Sequence, residues 1–355
     1  MAATADHTAE QQTATSSSQT SGHVSGPNTG SNTGANIGTN IAPQQYPSYS
    51  GPALFHVGYI KTATTYLQEK VFNRTDLGLA LPAGNQSRAH LVAEFLVDDD
   101  YLYSGPQTAL RLKVLEAGVR ANGCVPIWSE ETFLGNLAAR SYHGRRVADK
   151  LADACPEAKI LISVREQRSF ALSAYAEYIN QGGTQAIDAF IGTGREALSF
   201  TPHLRHNWLF YDQAIRHYQQ RFGPANVLVL PYELMRRDRA AYFQALGDFI
   251  GRPLDPAHLE ATPSHARLSA AGLVLKRWLN RILPPTPNVP RQRFIRRAGL
   301  RAVGLLAKLI PRRFSARIRT RWQAAIEARY SPLFAASNQE TSKLTGLRLS
   351  DYGYL

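Results

Sequence analysis

The chain has 355 residues and a formal net charge of +13, from 40 Lys and Arg against 27 Asp and Glu. That charge is concentrated: Ala261 to Ile326 holds 15 Lys and Arg and no acid, while the rest, with 25 basic and 27 acidic residues, balances at −2. Two cysteines, Cys124 and Cys155, are too few for a disulfide framework and have no metal-ligand spacing, and without an uninterrupted apolar run of about 18 residues no membrane-spanning helix is expected.

Residues 1–50 are rich in Ser, Thr, Gly, Asn and Gln. They cannot bury enough apolar surface to offset their ordering entropy, so they read as a disordered tail. They also lack the basic start and apolar stretch of a signal peptide. Ala53 to Val57 is β-prone and reaches Gly58, and a helix is expected from about Thr64 to Phe72. A helix from His90 to Val97 then leads to the acidic turn at Asp98, Asp99 and Asp100, and a longer helix runs from Gln107 to Ala121. Val125 to Trp128 reads as a short strand, followed by helices over Phe133–Leu137 and Gly144–Ala154. Ala158 to Arg165 is an apolar run that ends in arginine, as a buried parallel strand does, and a helix continues to Ile179. Gly182 to Leu204 reads as loop and short helices. A helix over Tyr211–Phe222, a strand around Val227 and a helix over Ala240–Ile250 ending at Gly251 complete the pattern.

Strands alternating with helices predict an α/β, P-loop-like three-layer fold, its central parallel sheet covered by helices on both faces. Residues 51–275 form that domain, and 276–355 a basic, partly amphipathic helical region. Ligands of such sheets sit at the carboxyl ends of the strands, which gathers the loops after Val57, Trp128 and Val164 around one pocket.

The segment from His56 to Gln68 carries the chemistry. A strand, a loop with a glycine, a lysine and small hydroxyl residues, and a helix make an anion site from backbone N–H groups and the helix dipole. Lys61 follows Gly58 by only three residues, so the spacing fails the Walker pattern of nucleotide hydrolases. Gly58, Lys61, Thr62, Ala63, Thr64 and Thr65 resemble instead the 5′-phosphosulfate loop, GxxKTGTT, of sulfotransferases that use 3′-phosphoadenosine 5′-phosphosulfate (PAPS). Ile60 stands where proline is common and Ala63 where glycine is common; a positive φ at Ala63 would cost more than with glycine. Arg165 and, eight residues later, Ser173 resemble the family's 3′-phosphate motif of a strand-end arginine and a helical serine. Arginine offers a planar fork to a phosphate and serine adds a donor; Arg168 lies on the same turn. Asn226 to Leu234 resembles a later strand and turn of the same family, with Glu233 as a loop-fixing group. The resemblance covers about residues 53–280, and its form is the bacterial or carbohydrate-type branch.

The resemblance implies roles. Lys61 would stabilise the charge of the leaving nucleotide, and Thr62, Thr64 and Thr65 would hold the 5′-phosphate and sulfuryl oxygens. Arg165 and Ser173 would take the 3′-phosphate, with His265, Arg267 and Ser269 of a late loop as a weaker match. The family's base is a histidine or glutamate between the two motifs. Glu131 matches a Ser-x-Glu segment after the strand ending at Trp128, and Glu130 is one residue off; burial beside an anionic co-substrate would raise such a carboxylate's pKa. Ser129 as helix N-cap with both acids in the first turn is the compatible structural reading. His90 and His143 lie in the window without a motif. No metal is expected, because Lys and Arg neutralise the phosphosulfate.

The expected function is therefore transfer of a sulfuryl group from PAPS to a hydroxyl or amine of a carbohydrate, glycolipid or other small-molecule acceptor, in the cytoplasm. Two alternatives stand beside it: a P-loop kinase-like phosphotransferase, and a non-catalytic membrane-docking protein. From Gln292 to Ile310 basic and apolar residues alternate at helical spacing, so residues 276–322 read either as a surface for an anionic membrane face or polyanionic acceptor, or as a helix packed on the core with solvated charges. No nucleic-acid reading motif accompanies the basic block.

Overall fold

The computed structural model describes residues 46–97, 99–259, 268–284 and 290–355, with the backbone alone over 290–294. Most of the low-complexity tail, Asp98 and the loop carrying His265 and Arg267 lie outside the described residues. Five strands, β1 (Leu54–His56), β2 (Leu79–Ala80), β3 (Val125–Ser129), β4 (Lys159–Val164) and β5 (Val227–Pro231), form one sheet in the order β2-β3-β1-β4-β5. Every pairing is parallel, with Phe55 opposite Trp128 on one side and Ile160 on the other.

The helices follow in chain order: α1 (Thr64–Lys70), α2 (Ser87–Val92), α3 (Gly105–Ala121), α4 (Gly144–Ala154), α5 (Gln167–Asn180) and α6 (Ile187–Ile191). Then come α7 (Tyr211–Phe222), α8 (Tyr232–Arg237), α9 (Arg239–Ile250), α10 (Ala270–Ile282), α11 (Pro290–Leu309) and α12 (Arg312–Thr345). Because side chains alternate across a strand, the sheet feeds two cores. Phe55, Trp128, Ile160, Ile162, Val164, Val227 and Val229 face α4, α5, α7, α10 and α12. Leu54, Val125, Ile127, Leu161 and Leu230 face α1, α8 and α9. Both faces of the parallel sheet are therefore covered, as the near-continuous apolar strands require.

The expected helix at Phe133–Leu137 is not formed. Gly135 has a φ of 143°, and Asn136 pairs with Ser141 in an isolated antiparallel bridge, so the segment is a closed turn. Past α2 the chain continues as a single π-helical stretch, Ala93–Val97. The two-residue edge strand β2 lies below the length at which alternation can be read from sequence. The last helices join the main core: Trp322, Ile326, Tyr330 and Phe334 of α12 are buried in it, and residues 43–355 form one compact unit.

Candidate active site

The loop between β1 and α1 turns sharply because several residues take positive φ: Gly58 at 108°, Lys61 at 65° and Ala63 at 65°. Gly58 is required twice over. Its φ is one that side chains disfavour, and a Cβ there would stand 2.5 Å from the carbonyl oxygen of Glu131. The loop thus lies directly against the end of β3. The Thr62 hydroxyl, buried, donates to the Tyr59 carbonyl at 2.5 Å and closes the turn. Thr64, the first residue of α1, donates its hydroxyl to the Glu131 carboxylate, and Thr65 beside it is exposed.

Arg165 extends from the end of β4 to the same loop. Its Nη1 donates to the Lys61 carbonyl at 3.0 Å and its Nε to Ser169 Oγ at 3.0 Å. The guanidinium stacks over the Tyr232 ring at 4.8 Å. Glu166 caps α5, accepting from the backbone N–H groups of Arg168 at 3.0 Å and Ser169 at 2.8 Å. Ser169, Ser173 and Glu177 recur every four residues along α5 and share one face. Ser169 meets Arg165 at one end of that face. At the other, Glu177 Oε2 pairs with Lys61 Nζ at 3.2 Å. Ser173, half-buried, therefore lies between the two cationic groups on the face of α5 that meets the loop.

The two acids after β3 part ways. The Glu130 side chain is fully buried, paired with Arg88 Nε at 2.6 Å, and it also accepts from the Thr132 N–H at 2.9 Å and hydroxyl at 2.5 Å. It holds the turn in place. Glu131 is half-buried and turns to Thr64 of the loop. His143 is half-buried and fixed by Ser141 Oγ at 2.6 Å and the Thr132 carbonyl at 2.8 Å; burial holds its pKa below the usual range.

Sequence reasoning missed three participants. Glu177 pairs with Lys61 across 116 positions, although its place two turns beyond Ser169 on one helical face was a usable signal. Arg88 and Tyr232 have no local signature. Arg168, expected beside the phosphate, is instead tied to Glu166 at 2.7 Å and Glu327 at 2.9 Å. Glu233 plays the loop-fixing part: it accepts from the Glu166 N–H at 3.2 Å and from the Tyr354 hydroxyl at 3.2 Å, and burial raises its pKa. Ser269, from the weaker match, caps α10 by accepting from the Gly272 N–H at 3.1 Å. Next to Arg165 a cleft of about 410 Å³ opens between Ser169, Tyr232, Arg236, Arg237 and Tyr352, with Glu166 and Glu233 in its wall.

The arrangement places a lysine, an arginine, hydroxyl groups and one carboxylate at the carboxyl ends of β1, β3 and β4. Such a set can hold a polyanion and accept a proton beside it. No family model matches the chain, and no curated protein matches it. Solved structures do. The chain is similar to the crystal structure of a sulfotransferase from Alicyclobacillus acidocaldarius, at 17% identity and a TM-score of 0.44, over 86% of this chain and 100% of that one. It is also similar to the sulfotransferase domain of the Synechococcus PCC 7002 olefin synthase (15% identity, TM-score 0.37, 64% of this chain and 83% of that one). A third is the sulfotransferase domain from the curacin biosynthetic pathway (13% identity, TM-score 0.36, 62% of this chain and 82% of that one).

Proposed function

We propose that the chain is a PAPS-dependent sulfotransferase acting on a hydroxyl or amine of a small-molecule or glycan acceptor. One observation carries the reading: Arg165 bonds the carbonyl of Lys61, so the two motifs, 104 positions apart, form one site. When bound, the donor supplies the activated sulfuryl group. Lys61 counters the charge that develops on the nucleotide as it leaves, and exchanges its present partner Glu177 for that charge. Thr64 and Thr65 face the 5′ end. Thr62, its hydroxyl bonded within the loop, shapes the turn. Arg165 and Ser173 hold the 3′-phosphate, and the adjoining cleft with Arg236 and Arg237 accommodates the nucleotide.

Glu131 is the base. Its place at the carboxyl end of β3, hydrogen-bonded to Thr64, sets it beside the loop, and it takes the proton that the acceptor loses as the oxygen–sulfur or nitrogen–sulfur bond forms. Glu130, held by Arg88 and Thr132, serves the architecture.

The test is calorimetric binding of adenosine 3′,5′-bisphosphate beside ATP, with turnover of PAPS. Binding of the bisphosphate alone, lost in Arg165→Ala, is expected. Lys61→Ala and Glu131→Gln should each lower kcat by ~10²–10³ while the bisphosphate still binds Glu131→Gln. Preference for ATP would overturn the reading in favour of a kinase.

A further inference from the structure

Helix α11 has three distinct faces. Gly299 lies close to the Leu279 side chain, Val303 is buried and Ala307 meets Gly272, so this face packs on α10. On the flank beside it, Ile295, Ala298, Ala302, Leu305, Leu306 and Leu309 are all exposed. At 3.6 residues per turn they fall within an arc of about 100°. Leu305 is 65% exposed and Leu309 77%, although nothing polar interrupts the stripe. Arg297, Arg301 and Lys308, all exposed, run along its edge.

Neighbouring elements repeat the chemistry. α10 exposes Trp278 and Ile282, with the Arg281 guanidinium 4.8 Å from the Trp278 ring centroid. The start of α12 exposes Phe314 beneath Arg313. Between Ala261 and Ile326 no acidic residue offsets the 15 basic ones.

We propose that the α10–α11 hairpin docks on the anionic face of a lipid bilayer, with α11 lying in the interface and its apolar stripe inserted among the acyl chains. The charge selects the partner. A protein surface or a second copy of this chain would meet the arginines with carboxylates, and this segment has none to offer a copy of itself. A nucleic acid would satisfy the arginines but leave the leucines in water. An anionic bilayer satisfies both, phosphates against Arg297, Arg301 and Lys308 and hydrocarbon against Leu305, Leu306 and Leu309. Trp278 suits the headgroup level, where an amphipathic ring has one wet and one apolar side. Among the described residues no helix is long and apolar enough to cross a membrane, so the contact is one of lying on the surface.

The experiment is co-sedimentation of the full chain with vesicles of phosphatidylcholine, with and without phosphatidylglycerol, at rising salt. Pelleting is expected only with phosphatidylglycerol and should fall steeply with salt. The triple variant Leu305→Ser, Leu306→Ser, Leu309→Ser and the triple variant Arg297→Gln, Arg301→Gln, Lys308→Gln should each weaken it about tenfold. All six side chains are exposed, and an unchanged melting temperature confirms that the variants fold. No pelleting of the wild type overturns the proposal. So does undiminished pelleting of the serine variant, which would reduce the contact to charge alone. A wild-type dimer that the serine variant dissolves, by light scattering, overturns it in favour of a second copy, and tighter binding to duplex DNA than to the vesicles does so in favour of nucleic acid.

Discussion

Ala63 sits at φ 65° and ψ 23°, as the residue preceding α1. An L-residue in this conformation costs about 1–2 kcal/mol, because Cβ crowds the following carbonyl. Ala63→Gly removes that strain but frees the unfolded chain by about 0.4–1 kcal/mol. The net expectation is a gain of about 0.5–1 kcal/mol, read as a higher urea midpoint at unchanged slope; a lower midpoint would show the alanine methyl to be worth more than the strain. Glu130→Gln tests the turn after β3, against which the loop packs. It strips the charge from a fully buried partner of Arg88, whose own side chain is 57% exposed, so the loss should fall below the about 3–5 kcal/mol of a pair buried on both sides. A melting curve shows this, and nucleotide affinity should hold. Single residues were legible where the backbone dictates them. Gly58, Lys61 and Arg165 could be placed because a turn or a strand end fixes what surrounds them. Glu131 could be preferred to Glu130 only by its match to a motif, because neighbours at a strand end point opposite ways and only the distant Arg88 and Thr64 decide which is anchored.

At the scale of elements, β1 is held to its neighbours by more than its ladder. His56 is fully buried, with Nδ1 2.8 Å from Ser129 Oγ on β3 and Nε2 3.2 Å from Ser163 Oγ on β4. Burial lowers its pKa to about 3, against about 6.5 in the unfolded chain. Between these values the unfolded state binds the extra proton, so this contribution is fully present above pH ~6.5 and is lost as pH falls toward 3. The slope is about 1.4 kcal/mol per pH unit. The difference in denaturation free energy between wild type and His56→Asn, followed from pH 7 to pH 5 (~1.4 kcal/mol per unit below 6.5), should shrink as the solution is acidified; a constant difference would mean that the imidazole stays accessible to protons. The buried strands and most helices of the α/β domain were readable, and the expected spans of α4 and α7 are those observed, because an apolar stripe that runs into Gly223 or into Cys155 before Pro156 leaves little choice. Phe133–Leu137 carried the same apolar signal but closes into a turn around Gly135, where tertiary contact with Trp208 overrides local preference.

For the whole molecule, the C-terminal residues return to the turn between β4 and α5 that carries Arg165. The sequence suggested a boundary near residue 275, where an α/β domain of ordinary size would end; yet Trp322, Ile326, Tyr330 and Phe334 recur every four residues along α12 and bury one stripe against the sheet's core. That stripe is visible in the sequence, but the basic block before it drew residues 276–355 into one region of their own. Beyond α12 the chain returns to the site. Asn338 donates to the Leu355 carbonyl at 2.7 Å and meets Gln167 at the start of α5 at 2.7 Å. Tyr354, buried, donates to Glu233, and Glu233 holds the N–H of Glu166, the cap of α5. The last residues therefore brace the turn that aims Arg165. Tyr354→Phe keeps the packed ring and removes only the hydroxyl, leaving one oxygen of a buried carboxylate short of a donor. Stability should fall by about 1 kcal/mol. Because the brace acts on Arg165 through Glu166, the Kd for adenosine 3′,5′-bisphosphate should also rise about three- to tenfold. Calorimetry separates the two effects: a lower melting temperature with unchanged affinity would make the C-terminal segment a plug for the core, and a joint loss would make it part of the nucleotide site.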